Sequence, residues 1–280
     1  MNENHFSPKA RRGLVILIGV YGLFVVIGAP FLIQGSLDAI LARVVPKIPQ
    51  QPDFALTATL LPIYFFVMRA IDFVAGVTLV AIAYPFYKGE DWTYPVALSC
   101  VSLPTLFGVL TSLPHIVQYG KPPAAGFILL FGLIVNWALL MFKKGPTVEK
   151  LARFFIFTLL GVIAGDVNVL ALHSLKSLIA RPDKPLFTDI LITVFGYEGP
   201  INFISMIFCI AAIPLLAQRK QSGWWLALIA GICVTLANYP THFIRMQTPD
   251  FFVAGTLGLA LTVLLLIPSW KKALLGENVS

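Results

Sequence analysis

The sequence predicts an all-α integral membrane protein, with eight transmembrane helices forming two tandem, parallel four-helix repeats and both termini cytoplasmic. Three observations carry that prediction. Hydrophobic residues make up 58% of the 280-residue chain and charged residues only 12%, with a mean hydropathy of +0.86, whereas soluble domains carry about 25% charged residues. The apolar residues fall in blocks of about 20, the length a helix needs to cross the hydrocarbon. Short polar landmarks recur in the same order in the two halves of the chain.

Blocks of helical length exclude an outer-membrane barrel, whose signature is short alternating strands. The net charge of +7 would suggest nucleic acid in a soluble protein. Here the basic residues stand beside helix ends and set orientation instead, so no nucleic-acid partner is expected. Cys100, Cys209 and Cys233 lie inside apolar blocks at no metal-ligand spacing and read as small buried hydrophobes. No metal, phosphate or nucleophile motif is present, and no cofactor is expected. His115, His173 and His242 fall near helix ends, which disfavours a haem site.

In chain order, residues 1–12 form a cytoplasmic segment carrying Lys9, Arg11 and Arg12. The apolar run from Gly13 is too long for a signal peptide and no small-residue cleavage site follows, so it reads as the first span. The eight helices are expected at about 13–34, 56–86, 93–113, 123–142, 152–173, 190–217, 224–243 and 250–269. Pro46, Pro49 and Pro52 separate the first pair, Pro122-Pro123 the third and fourth, and Gly145-Pro146 the two halves. Arg181-Pro-Asp-Lys-Pro185 precedes the sixth. The repeats are thus 13–144 and 145–272, followed by a cytoplasmic tail, 273–280.

Orientation follows from Lys and Arg in the connections. One side collects Lys9, Arg11, Arg12, Lys88, Lys143, Lys144, Lys150, Arg153, Arg219, Lys220, Lys271 and Lys272. The other holds Arg43, Lys47, Lys121, Lys176, Arg181, Lys184 and Arg245. Twelve against seven, with the larger set in tight loops, places the first side in the cytoplasm. Trp92, Trp224, Trp225 and Trp270 fall near the same ends, as interfacial anchors do.

The repeat rests on paired landmarks. Ser36-Leu-Asp-Ala-Ile-Leu-Ala-Arg43 matches Ser174-Leu-Lys-Ser-Leu-Ile-Ala-Arg181, and Ile71-Asp-Phe-Val matches Ile201-Asn-Phe-Ile. Pro85 matches Pro214, Pro114-His115 resembles Pro240-Thr-His242, and Lys143-Lys144 matches Lys271-Lys272. All offsets lie between 126 and 138 residues. Four spans per repeat keep both copies in the same orientation.

The few polar groups within the spans are the candidate site. Ionisable side chains at membrane depth are costly and normally face a protein interior and a partner. Arg69 and Asp72, three residues apart, share one helix face and can pair. Asp72 stands about 24 Å above Lys88 along its helix and Asp166 about 20 Å above Arg153, which puts both in the outer half. Asn168, Asn202, Asn238 and Glu198 join that level, with Asn202 the repeat partner of Asp72 and Glu198 standing near the counterpart of Arg69. The inner half of these helices reads as nearly pure hydrocarbon. Asparagines at such depth serve first as glue between helices. The carboxyl groups of Asp72 and Asp166 are better suited to handling protons.

Residues 13–144 resemble the EXPERA (emopamil-binding-protein-like) membrane family of sterol isomerases and sterol-binding receptors, and residues 152–272 do so more faintly. The resemblance rests on Asp38, Asp72, Lys88-Gly89-Glu90-Asp91-Trp92 and Pro95 in that order. It implies a four-helix unit in which Asp38 and Asp72 are the catalytic acids lining a pocket for a flat, apolar molecule. The second half departs from the pattern, with Lys176 and Asn202 where the acids should stand.

The expected function is therefore binding, or isomerisation, of a lipid- or sterol-like small molecule beneath the polar tier. Arg69, Asp166, Asn168, Glu198, Asn202 and Asn238 would be its ligand-binding residues. A secondary transporter of a small solute and a non-catalytic subunit of a membrane complex are the alternatives. The partners expected are a membrane lipid or apolar small molecule and, for the last reading, a second copy or another membrane subunit.

Overall fold

The computed structural model describes residues 6–179, 189–246 and 249–276, almost all of them helical. The first rod starts at Ser7, whose side chain accepts the Ala10 N–H at 3.3 Å. Pro8 follows in the first turn, where a missing N–H is no loss. The rod comprises α1 (Pro8–Leu23), a π-helical turn (Phe24–Gly28), α2 (Ala29–Val44) and a short 3-10 turn (Val45–Lys47). Pro30 accounts for the π turn. Inside a continuous helix its ring would collide with the carbonyl four residues earlier, and the wider turn makes room.

The helix expected to end at 34 therefore continues. Buried Ile33, Ser36, Leu37, Ile40 and Val44 recur at helical spacing and hold α2 against its neighbours. Asp38 and Arg43 accordingly stand on a helix and not in a connection.

Next come α3 (Asp53–Lys88), α4 (Thr93–Tyr119), α5 (Gly126–Met141), α6 (Thr147–Ile179) and α7 (Ile190–Ala217). They are followed by α8 (Gln221–Arg245), α9 (Asp250–Leu266) and α10 (Pro268–Leu275). α3 closes on Gly89 at φ 84°, the left-handed cap that glycine supplies without strain. The helix expected at 250–269 is broken. Pro268 cannot donate to the preceding turn, Ile267 adopts extended backbone, and α10 turns away from α9 by 79°.

Six helical runs are long and apolar enough to cross a membrane, or up to seven with the bent α9–α10 pair counted as one. The 16 residues of α5 reach only about 24 Å, short of a ~30 Å core. The expected eight spans are thus six or seven by length and composition among the described residues. Ile16, Phe31, Phe127 and Leu236 are each more than half exposed, and a surface so apolar suits lipid, not water. The chain is a multi-pass membrane protein.

Packing follows chain order. α1 lies on α3, α3 on α4, α4 on α5, and α5 returns to α1; α6 lies on α7, α7 on α8, α8 on α9, and α9 returns to α6. The two rings meet where α4 touches α6 and α7. Glycine pairs set the closest approaches within them. A Cβ on Gly76 would stand 2.8 Å from the Gly22 carbonyl, and one on Gly258 would stand 2.8 Å from that of Gly231. Small residues at such crossings let backbones touch, which is how helices associate in lipid.

Both ends of the described chain lie at one end of the bundle. Phe6 packs on Phe86 and Tyr94, and Gly276 abuts Arg219. Arg181, Lys184 and Pro185 of the expected connection, and residues 277–280 of the expected tail, lie outside the described residues.

Candidate functional site

Within the second ring, the predicted residues Glu198, Asn202 and Asn238 come together. All three are buried. Glu198 accepts from the Ser174 hydroxyl and from the Asn202 amide. Asn202 and Asn238 exchange amide hydrogen bonds at 3.1 and 2.8 Å, and Asn238 also donates to the Val234 carbonyl at 2.8 Å. One connected set of polar groups thus ties α6, α7 and α8. The i, i+4 spacing of Glu198 and Asn202 puts both on one face of α7, and Gly199 beside them admits α6 closely.

The first ring holds a second, simpler group of polar residues. Ser36 is buried like Ser174 and donates to the Thr111 carbonyl at 2.8 Å. Asp72 is 2% exposed, and among the described residues neither of its oxygens has a hydrogen-bond partner. The Tyr21 hydroxyl lies within electrostatic reach of it. Arg69 does not pair with Asp72 or with Glu198. Its Nη1 donates to Gln34 at 3.2 Å, and Gln34 donates to Asp38 at 2.8 Å. The continuation of α2 causes this, because it brings Gln34 beside α3 and leaves Asp38 on an exposed face. Asp166 is half-buried, Asn168 is fully buried, and an oxygen of each lacks a partner among the described residues.

At the opposite, basic end the structure gathers charged residues against one another. Glu149 Oε1 accepts from Arg219 at 3.0 Å and forms an ion pair with Arg153 Nη2 at 2.8 Å. Arg153 is 1% exposed, although its position near a helix start reads as a solvated loop charge. The Lys143 ammonium stands 4.6 Å from the centre of the Tyr94 ring, and the Tyr94 hydroxyl lies beside Arg153. Trp224 is no simple surface anchor either: it is buried and donates to the Leu265 carbonyl at 3.1 Å.

Above this cluster lies a cleft of about 150 Å³ where the two rings meet. Leu103 and Leu106 of α4, Gly161 and Ala164 of α6, and Ile210 and Pro214 of α7 line it. Leu103, Ile210 and Pro214 are partly exposed, so the cleft reaches the apolar surface. It adjoins a nook of about 20 Å³ that shares Ser102, Leu106 and Gly161 and adds Thr105, Asn136 and Thr158. That is space for one water, and Asn136 Oδ1, buried without a partner among the described residues, faces this group. None of the eight predicted site residues lines either space. A single amide in the otherwise apolar Gly126–Met141 was the signal available for Asn136.

No group of three or more potential metal ligands occurs among the described residues. Compared with known protein families, curated proteins and solved structures, the chain shows no match.

Proposed function

We propose that the protein binds a lipid-like molecule, whose apolar body occupies the cleft between α4, α6 and α7. The observation that carries this reading is the uncharged, surface-reaching cleft of about 150 Å³ at the junction of the rings. Apolar cavities of that size stay dry and accept apolar guests, and from a bilayer the guest at hand is an acyl chain. The isomerase chemistry implied by the family resemblance draws less support, because Asp38 lies on an exposed face while Asp72 is buried.

Gly161 supplies the test. It lines the cleft, yet a Cβ there would meet nothing within 4 Å. Gly161→Leu is expected to fill the space without a clash and to keep or raise stability by up to ~1 kcal/mol, since glycine is a poor helix residue. Binding of a fluorescent fatty acid (cis-parinaric acid) to the purified protein should weaken at least about tenfold, a loss of ~1.4 kcal/mol. Equal binding by the variant would remove the reading.

A second reading, a carrier that couples solute to protons, draws on the buried carboxyl of Asp72, which has no hydrogen-bond partner among the described residues. In proteoliposomes Asp72→Asn would then abolish flux while leaving fatty-acid binding intact.

A further inference from the structure

The basic end beneath the cleft bears on which lipid is held. The same helices that line the cleft also carry the ionic cluster: Tyr94 on α4, Glu149 and Arg153 on α6, and Arg219 just after α7. Ser99, at the lower edge of the cleft, stands five residues above Tyr94, or about 8 Å along the helix. A chain lying in the cleft would therefore bring its headgroup to the level of this cluster.

Two guanidinium groups, Arg153 and Arg219, share one oxygen of Glu149. Arg153 is buried, with the Tyr94 hydroxyl beside it. Glu90, at the α3–α4 turn, accepts from Trp92 at 2.6 Å. Arg219 is 35% exposed and so reaches a headgroup without any rearrangement of the core. Lys271, over the Trp224 ring, and Lys272 lie on α10, whose following Gly276 abuts Arg219. Guanidinium groups bind phosphate oxygens through paired N–H donors, which a lone ammonium cannot do.

We propose that this cluster is the headgroup site for an anionic phospholipid, with Arg219 as the outer phosphate ligand and Arg153 behind it. The proposal rests on the cleft reading for the seat of the acyl chain.

The test compares the protein in nanodiscs of phosphatidylcholine alone with nanodiscs that also contain phosphatidylglycerol. Lipids retained after transfer to detergent are counted by mass spectrometry. The wild type is expected to retain the anionic lipid at least about fivefold over its share of the bilayer, and Arg219→Gln to lose about that factor, or ~1 kcal/mol. Gly161→Leu is expected to lower retention of both lipids together. An unchanged preference in Arg219→Gln, or no preference in the wild type, overturns the headgroup site while leaving the cleft standing. A preference that survives Gly161→Leu at full occupancy supports the headgroup site and removes the cleft. Thermal stabilisation by inorganic phosphate equal to that by phosphatidylglycerol would assign the site to a free anion and overturn the proposal.

Discussion

Glu149→Gln is expected to cost about 3–5 kcal/mol of stability, the largest loss of any single charge change in this chain. The reason lies in the sharing of one oxygen. Glu149 Oε1 contacts Arg153 at 2.8 Å and Arg219 at 3.0 Å. Arg219 can turn to water when that partner is lost, but Arg153 cannot, being 1% exposed. A guanidinium left buried with no counter-charge retains its desolvation cost and loses its compensation. The double variant Glu149→Gln with Arg153→Met should recover most of the loss, because an apolar side chain of similar length needs no partner. Unfolding followed by tryptophan fluorescence in mild detergent provides the measurement. A single-variant loss below ~1 kcal/mol would mean that the pair behaves as a surface bridge and that Arg153 finds water.

Asn202→Leu is expected to be the next most damaging, at about 2–3 kcal/mol. The substitution leaves the Asn238 amide without its cross-helix partner and takes one donor from Glu198. Each buried polar group so stranded costs about 1–3 kcal/mol, while polar pairs in membrane proteins give coupling energies averaging only ~0.6. The cycle of Asn202→Leu, Asn238→Leu and the double variant separates these effects. Because the two amides donate to each other, the coupling should come out at about 1–2 kcal/mol. If the single losses simply add, the reciprocal pair contributes nothing beyond its separate members.

Much of this architecture was legible in the residues. The breaks expected at Pro122-Pro123 and Gly145-Pro146 fall between helices, since proline and glycine act locally on the backbone, whereas Pro268 breaks a helix expected to run through it. Ile190–Ala217 is bounded as expected, and Glu198, Asn202 and Asn238, expected at one level, do come together. What escaped is what depends on a partner far away in the chain. Arg69 was matched with the acid on its own helix, whereas Gln34, brought alongside by the continued α2, accepts its hydrogen bond. Arg153 and Arg219 look like solvated loop charges until the fold gathers them round Glu149, and only the i, i+4 step from Glu149 to Arg153 hinted otherwise. Asn136 carried its signal in isolation, as one amide in a greasy helix, but no sequence pattern said that Ser102, Thr105 and Thr158 would stand round it.

The π turn at Phe24–Gly28 has a consequence for how this chain tolerates change in length. Its buried side chains run Leu14, Ile18, Tyr21 and Val25, then Ala29, Ile33, Ser36, Ile40 and Val44, a stripe that a uniform α-helix would let drift round the rod. The extra residue in the turn resets the phase. Each residue of an α-helix rotates the next by about 100°, so removing one residue there would swing everything beyond it by more than a quarter revolution. Ser36 would leave Thr111, and Phe31 would be driven inward from lipid. Point changes in Phe24–Gly28 alter only packing, whereas a one-residue deletion would misalign half a rod.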